Sequence, residues 1–281
     1  MSRKTRTKLD PEAVLAKVAA PKLERVEVAP PLLARRIWEQ FGTLAVAVLL
    51  ALSIRAFVIE PYRIPSGSMF PTLLIGDHLF VNKFAYGPKI PFTDWRLPGL
   101  REPQRGDVVV FNVVRDRIGR IYPADQRPDL PGDVFVKRVV GLPGDTIEVR
   151  DGQLFLNGQR VPTESSPQTF TDEGGRVLRV GREDLAGHPH AVLDDPNAPG
   201  PEKTPITLGP GRYFMMGDNR DYSNDSRVWG TVRLADIKGP AFVIYLSWDW
   251  QGSWASMLNP VTWWQLFTQK MRWERIGQTI Q

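Results

Sequence analysis

The sequence predicts a mainly β protein held to a membrane by one N-terminal helix. A single long apolar segment lies near the N-terminus, and short apolar runs cut by turn signals fill most of the remainder. No sustained helical periodicity interrupts those runs until the last 20 residues.

The apolar segment extends from Phe41 to Ile59. Its 19 residues carry one charge, Arg55, and at ~1.5 Å per residue they match the ~30 Å hydrocarbon core of a bilayer. Arg55 stands four residues from the far end, where its long side chain reaches the headgroups. A cleaved signal peptide is one competing reading, but it would begin with a short basic region, whereas about 40 mostly polar residues precede this run. A buried core helix is the other, because the uninterrupted apolar part, Phe41 to Ile54, is only 14 residues long. The expected organisation is a cytoplasmic basic segment (1–40), a transmembrane helix (41–59) and an extracytoplasmic domain (60–281) at the cytoplasmic membrane, since basic flanks stay inside.

Charge agrees with this division. Residues 1–40 hold nine basic and five acidic side chains, and the remaining 241 residues hold 27 and 26. The folded part is therefore nearly neutral, which excludes a nucleic-acid partner because a polyanion-binding domain needs a basic face. Cysteine is absent, so there is neither a disulfide framework nor a thiolate metal site.

The strands are expected at His78–Asn82, Val108–Asn112, Val134–Val140, Thr146–Val149, Gln153–Leu156, Arg212–Met216 and Ala241–Leu246. Asn157-Gly158 between Gln153–Leu156 and Gln159–Val161 predicts a tight hairpin. Residues 162–211, rich in Pro, Gly, Asp and Thr, read as an insertion with at most a few short strands. Six of nine tryptophans lie between Trp248 and Trp273. Indoles favour the membrane–water boundary, and Trp263, Trp264, Leu266, Phe267, Lys270 and Arg272 suggest an interfacial amphipathic helix, with ordinary core packing as the alternative.

Two segments carry chemistry. Pro65-Ser66-Gly67-Ser68-Met69-Phe70-Pro71-Thr72-Leu73 presents Ser68 in a loop bounded by Pro and Gly, soon after the anchor. A serine hydroxyl is a weak nucleophile until a base takes its proton. The candidate base is Lys137 in Val134-Phe135-Val136-Lys137-Arg138-Val139-Val140. A lysine near its ordinary value of about 10.4 is charged at neutral pH, so its pKa must fall about three units. Strand alternation puts Lys137 on one face with Phe135 and Val139, an apolar setting that disfavours the ammonium. Arg138 points the other way, to solvent or a carboxylate.

Histidine-based schemes are weaker. His78, His188 and His190 belong to no zinc motif, and there is no Gly-x-Ser-x-Gly elbow or phosphate loop. A third polar segment, Gly217 to Arg227, is either an exposed turn or a hydrogen-bonded platform able to orient the lysine amine. It lacks the spacing and closing Glu of a calcium loop, so no metal and no cofactor is expected.

Taken together these segments resemble type I signal peptidases, membrane-bound Ser/Lys endopeptidases. The likeness covers most of residues 40–247 and includes Pro65–Leu73, Gly76–Lys83, Arg105–Phe111, Val136–Asp145 and Gly217–Gly230 in order. It implies a large, mostly antiparallel β catalytic domain with its active-site edge toward the bilayer, and the segment 162–211 read from composition would then be an inserted β-rich subdomain of it. It implies Ser68 as nucleophile, Lys137 as general base, Ser66 and the Ser68 amide as oxyanion donors, Ser223 as the group orienting Lys137, and Asp225 with Arg227 as a supporting ion pair. Pockets for small side chains, often Ala-x-Ala before the cut, would be lined by Tyr62, Ile64, Met69, Val110, Phe135 and Val136. The implied partners are preproteins with signal peptides, membrane lipid and possible secretion machinery. Only one anchor is evident where some members have two. The connection from Phe111 to Val134 is long, and nothing of the family transfers to 162–211. A narrower-client Ser/Lys processing peptidase and a non-catalytic, membrane-tethered peptide-binding domain are the alternatives.

Overall fold

The computed structural model describes residues 32–280 apart from 91, 92, 94 and 250–258, with side chains from Trp38 onward except that of Pro260. The expected cytoplasmic segment up to residue 31, Trp250 and Trp254 lie outside the described residues. A helix spans Leu32–Phe57, and its stretch Trp38–Phe57, 20 residues with none buried, is long and apolar enough to cross a membrane. The chain divides into two units at Leu49 and Leu50.

The helix differs from the expected span 41–59 at both ends. It begins nine residues earlier, through good helix formers such as Leu33, Ala34, Arg35 and Arg36. It stops at Phe57 because Pro61 disfavours helical backbone at Glu60 and lacks an amide for a helical bond. The chain instead enters β1 (Ile59–Arg63), which pairs Ile59 with Asn82. β1 is an edge strand, where a proline is tolerated.

The remaining strands are β2 (Asp77–Asn82), β3 (Val108–Arg115), β4 (Ile121–Pro123), β5 (Gly132–Gly141), β6 (Thr146–Arg150), β7 (Gln153–Leu156), β8 (Gln159–Arg160), β9 (Thr163–Thr171), β10 (Val177–Asp184), β11 (Pro189–Asp194), β12 (Lys203–Thr207), β13 (Arg212–Met216), β14 (Val232–Arg233) and β15 (Ile237–Ser247). An eight-stranded antiparallel sheet runs β1-β2-β15-β3-β5-β13-β14, with β4 on the far part of β3. The mainly β expectation holds. β3 and β5 are its centre, pairing Val109 with Lys137 and Val110 with Val136. Their runs of Val and Phe read as near-continuous apolar strands because both faces are covered: Val109 and Phe111 join one buried cluster, Val108 and Val110 another. The hairpin at Asn157-Gly158 forms as expected, both residues having positive φ, 53° and 78°, which is the type I′ geometry.

The insertion is more ordered than its composition suggests. β9, β10 and β11 form a separate three-stranded sheet, whereas β12 leaves them and pairs with β6 in the sheet β12-β6-β7-β8. The expectation of a few short strands is corrected: β9 has nine residues and β10 eight. Among the described residues of the C-terminal segment, Pro260–Gln265 is α-helical and is followed by a wider turn to Lys270. Leu266 is buried, while Trp263, Trp264, Phe267 and Trp273 are exposed.

Candidate active site

Between β1 and β2 the chain makes a closed loop. Ile64 N–H donates to the Asp77 carbonyl at 2.8 Å, and Gly76 N–H returns to the Ile64 carbonyl at 3.0 Å. Ile64, Met69 and Leu73 drop into the apolar cluster beneath, shared with Leu79, Val81 and Val110. That anchoring lifts the intervening Ser68 to the loop surface within a single 3₁₀ turn, Gly67–Met69. Gly67 is required by close approach: a Cβ there would lie 2.4 Å from the Phe70 ring.

Lys137 sits where β5 passes from a partly exposed half into a fully buried one. Its side chain is only 3% exposed, and its Nζ donates to Ser68 Oγ at 2.5 Å. Nζ also stands 5.5 Å over the Phe135 ring, as the shared strand face requires. Burial lowers the Lys137 pKa to about 8. The Arg227 guanidinium pushes the same way, while Asp225 and Asp218 oppose it without cancelling the effect.

The loop after β13 closes the site from the other side. Asn219 N–H donates to the Ser68 carbonyl at 3.2 Å, and its Nδ2 to the Gly67 carbonyl at 3.1 Å. Gly217 lies between the two loops, and a Cβ there would meet the Ser68 carbonyl at 2.4 Å and Ser223 Oγ at 2.3 Å. Three buried ion pairs hold this loop: Arg138 with Asp218, Arg220 with Glu183, and Arg227 with Asp225. Arg138 therefore meets a carboxylate, not solvent. Burial alone would raise the pKa of Asp218, but Arg138, His190 and the Thr72 hydroxyl hold it below the ordinary range. Asp225 is likewise depressed: burial raises it, and Arg227, the Gly217 amide and Lys137 outweigh that.

The structure thus brings Ser66, Ser68, Lys137, Asp225 and Arg227 into one region, but joins Ser223 less directly. Ser223 is buried beside Gly217, and its Oγ makes no hydrogen bond among the described residues. Two clefts diverge from Ser68 and Lys137. One, about 240 Å³, is lined by Tyr62, Ile64, Val110, Phe135 and Val136. Met69 departs from the expected pocket set: it is fully buried in the cluster under the loop and lines neither cleft, because the tight turn directs its side chain into the core. The other cleft, about 430 Å³, is bounded by Asn219, Tyr222 and the turn after β9.

The sequence offers no signal that singles out Asn219 or Thr72, and for Arg138 it suggests a carboxylate without identifying Asp218. The polar density of Gly217–Arg227 pointed to the loop, but not to which side chain reaches the serine. Among the described residues no cluster of His, Asp or Glu has the arrangement of a metal site.

Residues 37–248 match the family described as signal peptidase, peptidase S26. The chain belongs to this family. It is 38% identical to signal peptidase I of Pseudomonas fluorescens over 221 residues, covering 72% of this chain and 69% of that one. Signal peptidase I of Pseudomonas aeruginosa is also 38% identical, over 215 residues and the same shares. Signal peptidase I of Rickettsia felis is 30% identical over 247 residues, 80% of this chain and 82% of its own. As a member of the S26 signal peptidases the protein is a serine endopeptidase, and its apolar N-terminal helix fits membrane anchoring.

Proposed function

We propose that this signal peptidase removes signal peptides from exported preproteins at the outer face of the cytoplasmic membrane, with Ser68 as nucleophile and neutral Lys137 as general base. The observation that carries the reading is the 2.5 Å contact between Ser68 Oγ and a buried Lys137 Nζ whose pKa is lowered to about 8. Such an amine is partly neutral near physiological pH and can accept the serine proton.

Ser68 Oγ attacks the scissile carbonyl carbon while its proton passes to Lys137 Nζ. The carbonyl oxygen becomes an oxyanion that accepts hydrogen bonds from the Ser68 amide and the Ser66 hydroxyl. The Ser68 amide is available for this, since the first N–H groups of a helical turn have no partner within it. Lys137 then returns the proton to the leaving amine, and the signal peptide remains as an ester on Ser68. A water attacks that ester as Lys137 takes its proton, and collapse of the second intermediate frees the carboxylate and restores Ser68 Oγ–H. A donor pair of this kind contributes about 2.7–4 kcal/mol per donor. Asp225 and Arg227 brace the loop around the amine, and Ser223, buried in that same loop, would orient Lys137 once substrate is bound.

The smaller cleft supports a preference for small side chains, Ala-x-Ala, before the cut. Its walls of Tyr62, Ile64, Phe135 and Val136 offer an apolar seat to methyl-sized side chains, and discrimination would come from clashes of bulkier ones with these walls. The lipid surface is the natural partner of the helix and the exposed Trp263 and Trp264, with the basic N-terminal segment inside the cell.

The test is cleavage of a preprotein by detergent-solubilised protein across a pH series. kcat/KM should fall about tenfold per unit once the pH drops well below 8, because protonation removes the base. Ser68→Ala and Lys137→Ala should abolish turnover. Unimpaired cleavage by either variant, or the absence of the acid limb in the unmodified protein, rejects the dyad.

A further inference from the structure

A second, larger cleft of about 430 Å³ opens beside Ser68. It shares Ser66, Ser68, Phe135 and Lys137 with the apolar cleft and then runs toward Asn219, Tyr222 and the turn 172–176 between β9 and β10. A polypeptide crossing Ser68 in extended form advances ~3.3 Å per residue, so two or three residues beyond the scissile bond must enter this second cleft. Asn219 stands on its wall, 2% exposed, and its Oδ1 has no hydrogen-bond partner among the described residues. A buried acceptor of this kind suits a main-chain N–H of the incoming segment.

The turn 172–176 is built rigidly. The Asp172 carboxylate accepts from Gly174 N–H and Arg176 N–H, both at 2.9 Å, and from Arg176 Nε at 2.6 Å. The Arg176 guanidinium lies 3.8 Å over the Tyr222 ring, and Tyr222 O–H donates to Asp195 at 2.7 Å. The turn is therefore tied to the same loop that holds Ser68. Its charges, and those opposite, are already matched: Asp172 with Arg176, and Arg115 with Asp133. Glu173 is the exception. It lines the cleft, is exposed and makes no ion pair among the described residues.

We propose that the β9–β10 turn forms the wall of the subsite for the residues just after the cut, and that Glu173 there selects cationic over anionic side chains. The proposal rests on Ser68 being the nucleophile. It gives the insertion a part in substrate choice, which neither its composition nor the apolar pocket supplies.

The test uses the full-length protein and three preproteins that differ only at the second and third residues after the cut: Lys-Lys, Gln-Gln and Glu-Glu. The quantity read is the ratio of kcat/KM for the Lys and Glu substrates, which is independent of how much enzyme is folded. An exposed carboxylate should give a ratio of roughly five at low salt, shrinking as salt is added. Glu173→Gln should bring the ratio near one, and Glu173→Lys should invert it. A ratio near one in the unmodified protein, or the same ratio in all three enzymes, overturns the proposal. Ser68→Ala separates the two readings: residual cleavage by that variant refutes the nucleophile, whereas complete loss with an unchanged charge ratio across the Glu173 series refutes only the subsite.

Discussion

The stretch Ile64–Leu73 and the loop Gly217–Arg227 meet at Ser68, yet the first is seated from beneath by apolar side chains and the second by buried charge. Past that stretch, the buried Asp77 is also held by an ion pair, with Arg275. Ile64, Met69 and Leu73 are each at most 2% exposed, and they need only fill space. In the second loop Asp218, Arg220, Asp225 and Arg227 are all tied into buried ion pairs. Apolar contacts yield gradually, since neighbours relax into a small void. A buried charge that loses its partner has nowhere to relax, and its geometry is correspondingly exact in angle and distance. The loop that presents the nucleophile is thus the compliant one, and the loop that positions it is the brittle one.

Breaking the brittle side should have the largest effect. Arg138 binds Asp218 through Nε at 2.8 Å and Nη2 at 2.7 Å, and also the Gly106 carbonyl at 2.7 Å. Arg138→Ala leaves the Asp218 carboxylate uncompensated and should cost about 3–5 kcal/mol in denaturant unfolding. The pair Arg138→Met with Asp218→Leu should recover most of that loss, because no charge is then stranded. Equal losses in the single and double variants would mean that packing, not charge, holds this loop.

On the compliant side, Leu73→Ala should cost about 3 kcal/mol and Leu73→Met under about 1.5 kcal/mol, a graded response to volume. The same unfolding experiment checks it. Should Leu73→Met cost as much as Leu73→Ala, the first loop is as exacting as the second and the contrast fails.

What could be read from the chain follows the same divide. β3, β5 and β13 announce themselves by dense Val, Phe and Met, and Lys137 is oriented by the two-residue period alone. The Asn157-Gly158 turn is local chemistry and equally legible. β9 is hidden because most of its side chains face solvent and because it carries extra residues between Ser165 and Thr169, where its register with β10 shifts, so it shows no apolar alternation. Pairs such as Glu183 with Arg220 join residues 37 apart, and no local rule links them. Ser223 illustrates the reverse case: the family resemblance supplied a role for it, while the structure shows a buried hydroxyl packed on Gly217 and no bond to the amine.

Asn219 offers the finest cut between holding the fold and holding the nucleophile. Asn219→Ala removes the Nδ2 bond to the Gly67 carbonyl, which keeps a second donor in the Phe70 amide at 3.1 Å. The same change removes Oδ1, a buried acceptor with no partner among the described residues, so a typical loss of about 1 kcal/mol for the bond is offset by relief of an unsatisfied atom. The melting temperature should therefore move little. The main-chain bond from residue 219 to the Ser68 carbonyl survives in the variant, but the turn carrying Ser68 loses its lateral tie. kcat should fall about tenfold, since a slightly displaced hydroxyl weakens attack, and KM should rise as well, since the incoming segment loses the Oδ1 acceptor. A lowered melting temperature with kcat intact would assign Asn219 to the scaffold and make the two loops alike in how they support Ser68.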